Sequence, residues 1–217
     1  MISTRNTYEL PEIDALKRLT QSLALLDAII QRDWESRYYS FNSKWDVHEQ
    51  MASMRNGEGD SWFCVFSDAG AFLKGFDHEA KMSPWNNGPR EVWPGVLDRV
   101  PEVLAQFARE PAFSMKETTF CIWRLRRDAQ WHIGPIPFPE GESDPDGSGW
   151  LLSILDGLPA TYQRWAEEYY ERPVSLPAVQ HVYAHKMLTG EVIHTLNPET
   201  SLSGLAEDIA EIGYPSP

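Results

Sequence analysis

Cysteine is scarce in this chain, with only Cys64 and Cys121 among its 217 residues. Neither residue belongs to a C-x-x-C pair, and each lies inside an apolar run typical of a strand. We therefore expect two reduced, buried thiols in a cytosolic protein. A disulfide between neighbouring strands is the alternative, because sequence alone does not fix the distance between the two residues.

Basic residues are also few: 19 Lys and Arg stand against 32 Asp and Glu, which gives a formal net charge of −13. An acidic surface repels phosphate backbones, so the composition argues against nucleic-acid binding. It suits a basic protein partner or a cation, and it also increases solubility without any partner.

Long apolar runs are missing, and the N-terminus lacks a basic segment followed by an apolar one. The sequence therefore predicts a cytoplasmic protein with no membrane partner. Hydrophobic residues still make up 42% of the chain, with nine Trp, nine Phe and eight Tyr, which argues against disorder. We expect one α+β domain over 1–217, with 145–217 as a candidate helical subdomain.

Complete catalytic and cofactor motifs are absent from the sequence. Gly57-x-Gly59 lacks the third glycine of a dinucleotide fingerprint and precedes a predicted strand instead of following one. The segment 147–149 lacks the G-x-S-x-G spacing of a nucleophile elbow, and no phosphate-binding loop occurs. We therefore assign no catalytic residue and no cofactor.

The clearest structural signal is the segment 61–79, which predicts a β-hairpin. Apolar side chains occupy both faces of 62–66, as in a strand inside a sheet, and Asp68-Ala69-Gly70 supplies the turn. The returning strand over 71–77 is expected to be half buried. Gly75 within it indicates a bulge or a close neighbour.

Helices surrounding two hairpins define the predicted fold, an α+β fold with an antiparallel or mixed central sheet. The second hairpin is predicted from 118–127 and 130–133, and another strand from 37–41. For residues 179–183 the sequence does not distinguish a short edge strand from a helical turn. Ordered or long loops are predicted at 80–95 and 134–149. Helices are predicted over 10–30, 96–109, 150–155, 159–170, 189–196 and 202–212.

The densest titratable cluster is Asp77-His78-Glu79, with Asp60 nearby in sequence. A histidine flanked by carboxylates can act as a general base held in one tautomer, or as a metal ligand. Successive strand residues point to opposite faces, so Asp77 and Glu79 can share a side that His78 does not. On that alternative, the cluster caps a turn and anchors the loop that contains Trp85.

Two other patterns resemble metal sites but are incomplete. His181 and His185 have the spacing of a helical zinc pair, with His194 as a third candidate, but Val182 stands where H-E-x-x-H has its Glu. The acidic segment 142–146 has the acid spacing that opens a calcium loop but lacks the bidentate Glu at the twelfth position. We assign no metal ligand, and the sequence does not decide whether either segment binds a metal.

Several phrases of the sequence resemble a family of bacterial cytosolic proteins with no established activity. The resemblance runs over most of the chain and implies a bacterial cytosolic origin, but it provides no catalytic residue to transfer. The phrases are Phe66-Ser67-Asp68-Ala69-Gly70, Lys74-Gly75-Phe76-Asp77-His78-Glu79, Met82-Ser83-Pro84, Thr119-Phe120-Cys121-Ile122-Trp123-Arg124 and Ala206-Glu207-Asp208-Ile209-Ala210-Glu211-Ile212-Gly213-Tyr214.

Two functions follow as hypotheses. The first is a non-enzymatic protein-interaction module, of the acidic kind that neutralises or accompanies a partner, as immunity proteins do. The second is a small-molecule or metal-dependent enzyme with its site at Asp77, His78 and Glu79, assisted by His48 or His132. The candidate binding residues are Asp77, His78, Glu79, Trp85 and Trp93.

Overall fold

A computed structural model describes residues 1–86 and 88–217. Its centre is one five-stranded antiparallel sheet in which each strand pairs with the next in sequence, in the order β1-β2-β3-β4-β5. The strands are β1 (Tyr39–Asp46), β2 (Glu49–Arg55), β3 (Ser61–Phe66), β4 (Gly70–Phe76) and β5 (Phe120–Leu125). The predicted α+β class and antiparallel sheet are confirmed.

The hairpin predicted at 61–79 is β3 and β4, joined by a turn in which the amide of Ser67 donates to the carbonyl of Gly70. Gly75 has the expected close neighbour, because a Cβ there would lie 2.0 Å from the ring of Phe120. The expectation of a half-buried β4 is wrong, since all seven of its residues are buried.

The sheet differs from the sequence predictions in two respects. The strand β2 was not predicted, because its Glu, Gln, Ser and Arg residues interrupt the apolar alternation. The segment 130–133 forms only an isolated bridge between Trp123 and His132 rather than a second hairpin.

Helices cover one face of the sheet. The longest, α1 (Ile13–Ile30), packs against β1 and β2. Residues 179–183 belong to a helix, not to an edge strand. The other helices of the described chain are α2 (Ser148–Leu151), α3 (Pro159–Tyr169), α4 (Leu176–Tyr183), α5 (Gly190–Leu196) and α6 (Ala206–Ile212).

Short 3₁₀ turns cover the other face, where a helix over 96–109 was predicted. That prediction is wrong: the segment forms 3₁₀ turns at Glu102–Leu104 and Phe107–Arg109, and Val103 is 54% exposed. Pro101 supplies no amide hydrogen, and Arg99 has a left-handed backbone with φ of 65°, so a continuous helix cannot form there.

The sheet separates two apolar clusters, and each contains one cysteine. Cys64 packs in the cluster under the helices, whereas Cys121 packs in the cluster under the 3₁₀ turns. Both thiols are free and fully buried, and burial raises the pKa of each. The expected pair of reduced, buried thiols is therefore present.

The loop predicted at 80–95 contains neither helix nor strand where it is described, and Asn87 lies outside the described residues. The amide of Met82 donates to the carbonyl of Pro145 at 2.8 Å, which ties this loop to the segment before α2. None of the helices in the described ranges combines the length and apolarity that a membrane crossing requires.

Candidate functional site

The pairing of β3 with β4 creates the candidate site at the open end of their hairpin. Ser61 is the register partner of Phe76, so Asp60 and Asp77 flank the two strand ends. Both carboxylates are buried, and their residues lie at the termini of strands that the apolar core holds in place. The hairpin therefore brings together the two acids that flank it in the sequence.

Asp60 binds the histidine of the cluster. Its Oδ1 accepts hydrogen bonds from the His78 amide at 2.9 Å and from His78 Nδ1 at 2.7 Å. Its Oδ2 accepts from Asn56 Nδ2 at 2.6 Å. The hydrogen bond to Asp60 raises the pKa of His78 above its ordinary value, because the carboxylate favours the protonated imidazole.

Asp77 is held by three N–H donors. Its Oδ1 accepts from the amides of Glu79 at 2.9 Å and Ala80 at 3.0 Å, which caps the turn after β4. Its Oδ2 accepts from the indole Nε1 of Trp150 at 2.7 Å. The backbone of Gly147 approaches so closely that a Cβ there would lie 2.2 Å from Asp77 Oδ2.

These residues line a cavity of about 650 Å³. Four carboxylates belong to its wall, and those of Glu58 and Glu79 are exposed to solvent. Three aromatic side chains, those of Tyr38, Trp150 and Tyr169, form what we call its aromatic wall, and Trp150 and Tyr169 are both less than half exposed. The described lining residues are Tyr38, Asn56, Glu58, Asp60, Asp77, His78, Glu79, Trp150 and Tyr169.

The five candidate binding residues do not all meet. Asp77, His78 and Glu79 line the cavity. The half-exposed ring of Trp85 lies edge-on to His78, with ring centroids 6.1 Å apart, beside the cavity. Trp93 packs in the apolar cluster under the 3₁₀ turns and donates its indole hydrogen to the carbonyl of Pro137 at 3.0 Å, so it is not part of this arrangement.

The histidines proposed as assistants lie elsewhere. His48 Nδ1 is 3.6 Å from an oxygen of Asp68, and His132 Nε2 is 3.5 Å from an oxygen of Asp128. Neither lines the cavity. A shared acid-base site with His78 is therefore not assembled by this fold.

Sequence reasoning missed the aromatic wall. Trp150 and Tyr169 come from α2 and α3, and Tyr38 directly precedes β1, so no local motif connects them with Asp77. The only available signal in the sequence was the density of aromatic residues in a helix such as α3. It indicates packing as readily as a binding surface.

The metal candidates can be compared directly. Asp60, Asp77 and His78 each place one ligand atom within 4.8 Å of the others, the only such group found among the described residues. The three C-terminal histidines form no such group there: His181 Nε2 contacts the carbonyl of Met187, and His185 follows the end of α4, with its ring tilted against that of Tyr214 at 4.6 Å.

The acidic segment 142–146 is used structurally. Asp144 accepts hydrogen bonds from the amides of Gly149 at 2.9 Å and Trp150 at 3.1 Å, at the start of α2. Asp146 is buried and accepts from the hydroxyls of Thr4 and Ser148. Two carboxylates of this segment, which has only the acid spacing of a calcium loop, thus bind protein donors.

Comparisons of the chain with family models, with curated proteins and with solved structures return no match. The geometry of the cavity is therefore the basis for assigning a function.

Proposed function

We propose that this protein is a non-enzymatic interaction module that binds a basic segment of a partner protein in the cavity at the end of β3 and β4. One observation carries the proposal. The described lining combines four carboxylates and three aromatic side chains, and it contains neither Lys nor Arg.

Such a lining fits a cationic side chain for two reasons. Glu58 and Glu79 are exposed, so their carboxylates are available to pair with an incoming ammonium or guanidinium group. Trp150 and Tyr169 are 42% and 43% exposed, and their rings can take part in cation–π contacts with the same group. Arg is favoured over Lys, because its planar guanidinium both stacks and forms paired hydrogen bonds.

The charge of the whole chain supports the same class of partner. A formal net charge of −13 attracts a basic protein over distances longer than direct contact, and it increases the association rate at low salt. An acidic protein that accompanies or neutralises a basic partner has these features.

Binding of a model basic peptide tests the proposal. An octapeptide of alternating Gly and Arg should bind the wild-type protein and change Trp fluorescence, and added salt should weaken it. An octapeptide of alternating Gly and Gln should not bind. Binding of both peptides, or of neither, would refute the proposed basic specificity.

A charge-matched pair of variants locates the binding. The double variant Glu58→Gln/Glu79→Gln should bind the Arg peptide about tenfold more weakly. The double variant Glu102→Gln/Glu207→Gln removes the same charge from exposed residues outside the cavity lining and should bind as the wild type does. Equal weakening of peptide binding in both variants would mean that only the net charge of the protein, and not the cavity, determines binding.

A small-molecule or metal-dependent enzyme is the second candidate, and the short contact between Asp60 and His78 favours it. Asp60 can hold the imidazole in one tautomer so that Nε2 acts as a base. Against this, both oxygens of Asp77 already accept N–H donors, and no Ser, Thr or Cys belongs to the described lining. Calorimetric binding of Zn²⁺ or Mn²⁺ that is lost in His78→Gln would favour the enzyme.

A further inference from the structure

The buried carboxylate of Asp27 lies behind the aromatic wall of the cavity. Asp27 is in the last turn of α1 and is 0% exposed. Its Oδ2 accepts from the amides of Tyr38 at 3.0 Å and Tyr39 at 2.8 Å, and its Oδ1 accepts from the Tyr162 hydroxyl at 2.9 Å. Within the described chain it forms no salt bridge.

The donors belong to two of the three elements that supply the aromatic wall, and the third, α2, supplies Trp150. The side chain of Tyr38, just before β1, lines the cavity. Tyr162 is on α3, two helical turns before Tyr169, which also lines the cavity. Asp27 therefore connects α1 to two of the three sources of the wall.

Two rings of that wall, Tyr38 and Tyr169, form one continuous contact together with Trp165. Tyr38 and Tyr169 meet edge to face, with centroids 5.0 Å apart. Trp165 lies 4.9 Å from Tyr38 and stacks on Tyr169 at 5.2 Å. A change in the separation of β1 and α3 must therefore change the relative positions of these rings.

A carboxylate suits this position chemically. One of its oxygens receives two converging amides while the other receives a hydroxyl, and each oxygen has enough lone pairs to do so. An apolar residue would leave two buried amides without acceptors. Burial raises the pKa of Asp27 to about 6, so the chain keeps a residue here whose ionised form is disfavoured by its surroundings.

We infer that Asp27 is a positioning residue for the cavity: it fixes Tyr38 against helix α3 and thereby sets the shape of the aromatic wall. The identity of the ligand that the wall contacts rests on the proposed function. The positioning of Tyr38 against α3 can be measured without a ligand.

The groups that face Asp27 are all tyrosines. They come from the start of β1, from α3 and the turn that follows it, and from α4. They are Tyr38, Tyr39, Tyr162, Tyr169, Tyr170 and Tyr183. Burial raises the pKa of each well above neutrality, so these groups stay protonated where Asp27 titrates.

Three variants test the inference. Asp27→Ala removes all three acceptor contacts. Asp27→Asn keeps the shape and an oxygen for the two amides, while its NH₂ can donate to the Tyr162 hydroxyl. Ser22→Ala is the matched control, because it removes a buried hydrogen bond from α1 to the carbonyl of Val182 on α4, away from the wall.

The first readout needs no ligand. With 3-fluorotyrosine incorporated, the ¹⁹F resonances of Tyr38 and Tyr169 should shift in Asp27→Ala, return towards wild-type positions in Asp27→Asn, and stay unchanged in Ser22→Ala. Unchanged resonances in Asp27→Ala, or equal shifts in Ser22→Ala, would overturn the inference. This result stands even if the wild-type protein fails to bind the Arg peptide, which would refute only the proposed function.

The second readout is affinity for the Arg peptide, measured below the unfolding temperature of every variant. Asp27→Ala should bind about tenfold more weakly, and Asp27→Asn within about threefold of wild type. Should Asp27→Ala not fold, the pH titration decides. The wild-type ¹⁹F signals of Tyr38 and Tyr169 should show a transition near pH 6 that Asp27→Asn lacks, and identical titrations would overturn the inference.

Discussion

Asp77 and Trp150 are 73 residues apart in sequence, and the indole of Trp150 donates a 2.7 Å hydrogen bond to the carboxylate of Asp77. This contact joins the end of β4 to α2. It places an aromatic ring beside the acidic end of the hairpin. A hydrogen bond therefore joins the acidic and aromatic sides of the cavity directly.

Trp150→Phe should lower the free energy of unfolding by about 1–2 kcal/mol, because Asp77 loses one of its three donors. Urea denaturation measures the change. Trp85→Phe is the control, since it alters a tryptophan of similar exposure next to the cavity. Equal effects of the two variants would mean that the Asp77 contact adds nothing to stability.

Gly147→Ala should destabilise the protein by about 2 kcal/mol or more, because its φ of 74° is unfavourable for Ala and its new Cβ would collide with Asp77. Gly141→Ala separates the two causes. Gly141 has a similar φ of 83° but open space around it, so this variant reports the backbone strain alone. Equal losses of stability in the two variants, measured by thermal or urea unfolding, would mean that the collision with Asp77 contributes nothing.

The Asp60–His78 contact should make stability depend on pH. The pKa of His78 is raised in the folded state, so the stabilisation is fully present below the unfolded pKa of about 6.5 and is lost as the pH rises through the higher folded value. An NMR titration of His78 measures this pKa, and Asp60→Asn should lower it. Asp68→Asn, a change to an exposed carboxylate that contacts His48 instead, should not.

Asp27→Asn should be more stable than the wild-type protein above pH 6. Folding raises the pKa of Asp27 from 3.8 to about 6, so stability is fully present below the unfolded pKa and falls as the pH rises to 6. The ionisation lowers wild-type stability by up to about 3 kcal/mol at neutral pH. Urea unfolding at several pH values should show the difference between the two proteins disappearing below about pH 4.

Lys74 should produce the opposite dependence at high pH. Its side chain is buried, its Nζ donates to the Glu117 carbonyl at 2.5 Å, and burial lowers its pKa from 10.5 to about 8. The neutral amine is favoured in the folded state, so stability should rise by up to about 3 kcal/mol between pH 8 and pH 10.5. Lys74→Met should lack this rise, and parallel curves for the two proteins would contradict it.

The sequence predicted the hairpin of β3 and β4 because alternation of apolar side chains is a local property. It predicted a half-buried β4 because Lys74 interrupts that alternation, and a lysine is rarely buried without a partner. The carbonyl of Glu117 supplies that partner. Only the folded chain shows that the 3₁₀ turns cover the face of the sheet on which Lys74 lies.

The acidic half of the candidate site was visible in the sequence, because Asp77, His78 and Glu79 are consecutive and Asp60 precedes the paired strand. The aromatic half was not visible. Trp150, Tyr169 and Tyr38 reach the cavity through the docking of helices onto the sheet. Long-range packing of this kind leaves no fixed spacing in a single sequence.

The order of strands along the sheet has a consequence for folding kinetics. β1 to β4 follow one another through short turns, so their pairing closes only small loops, whereas β5 joins after the long segment of 3₁₀ turns. Tyr169 and Trp150 come later still in the chain. During synthesis from the N-terminus, the acidic end of the hairpin should therefore form before the residues that complete the cavity have been made, and recognition should begin only once the C-terminal helices have docked.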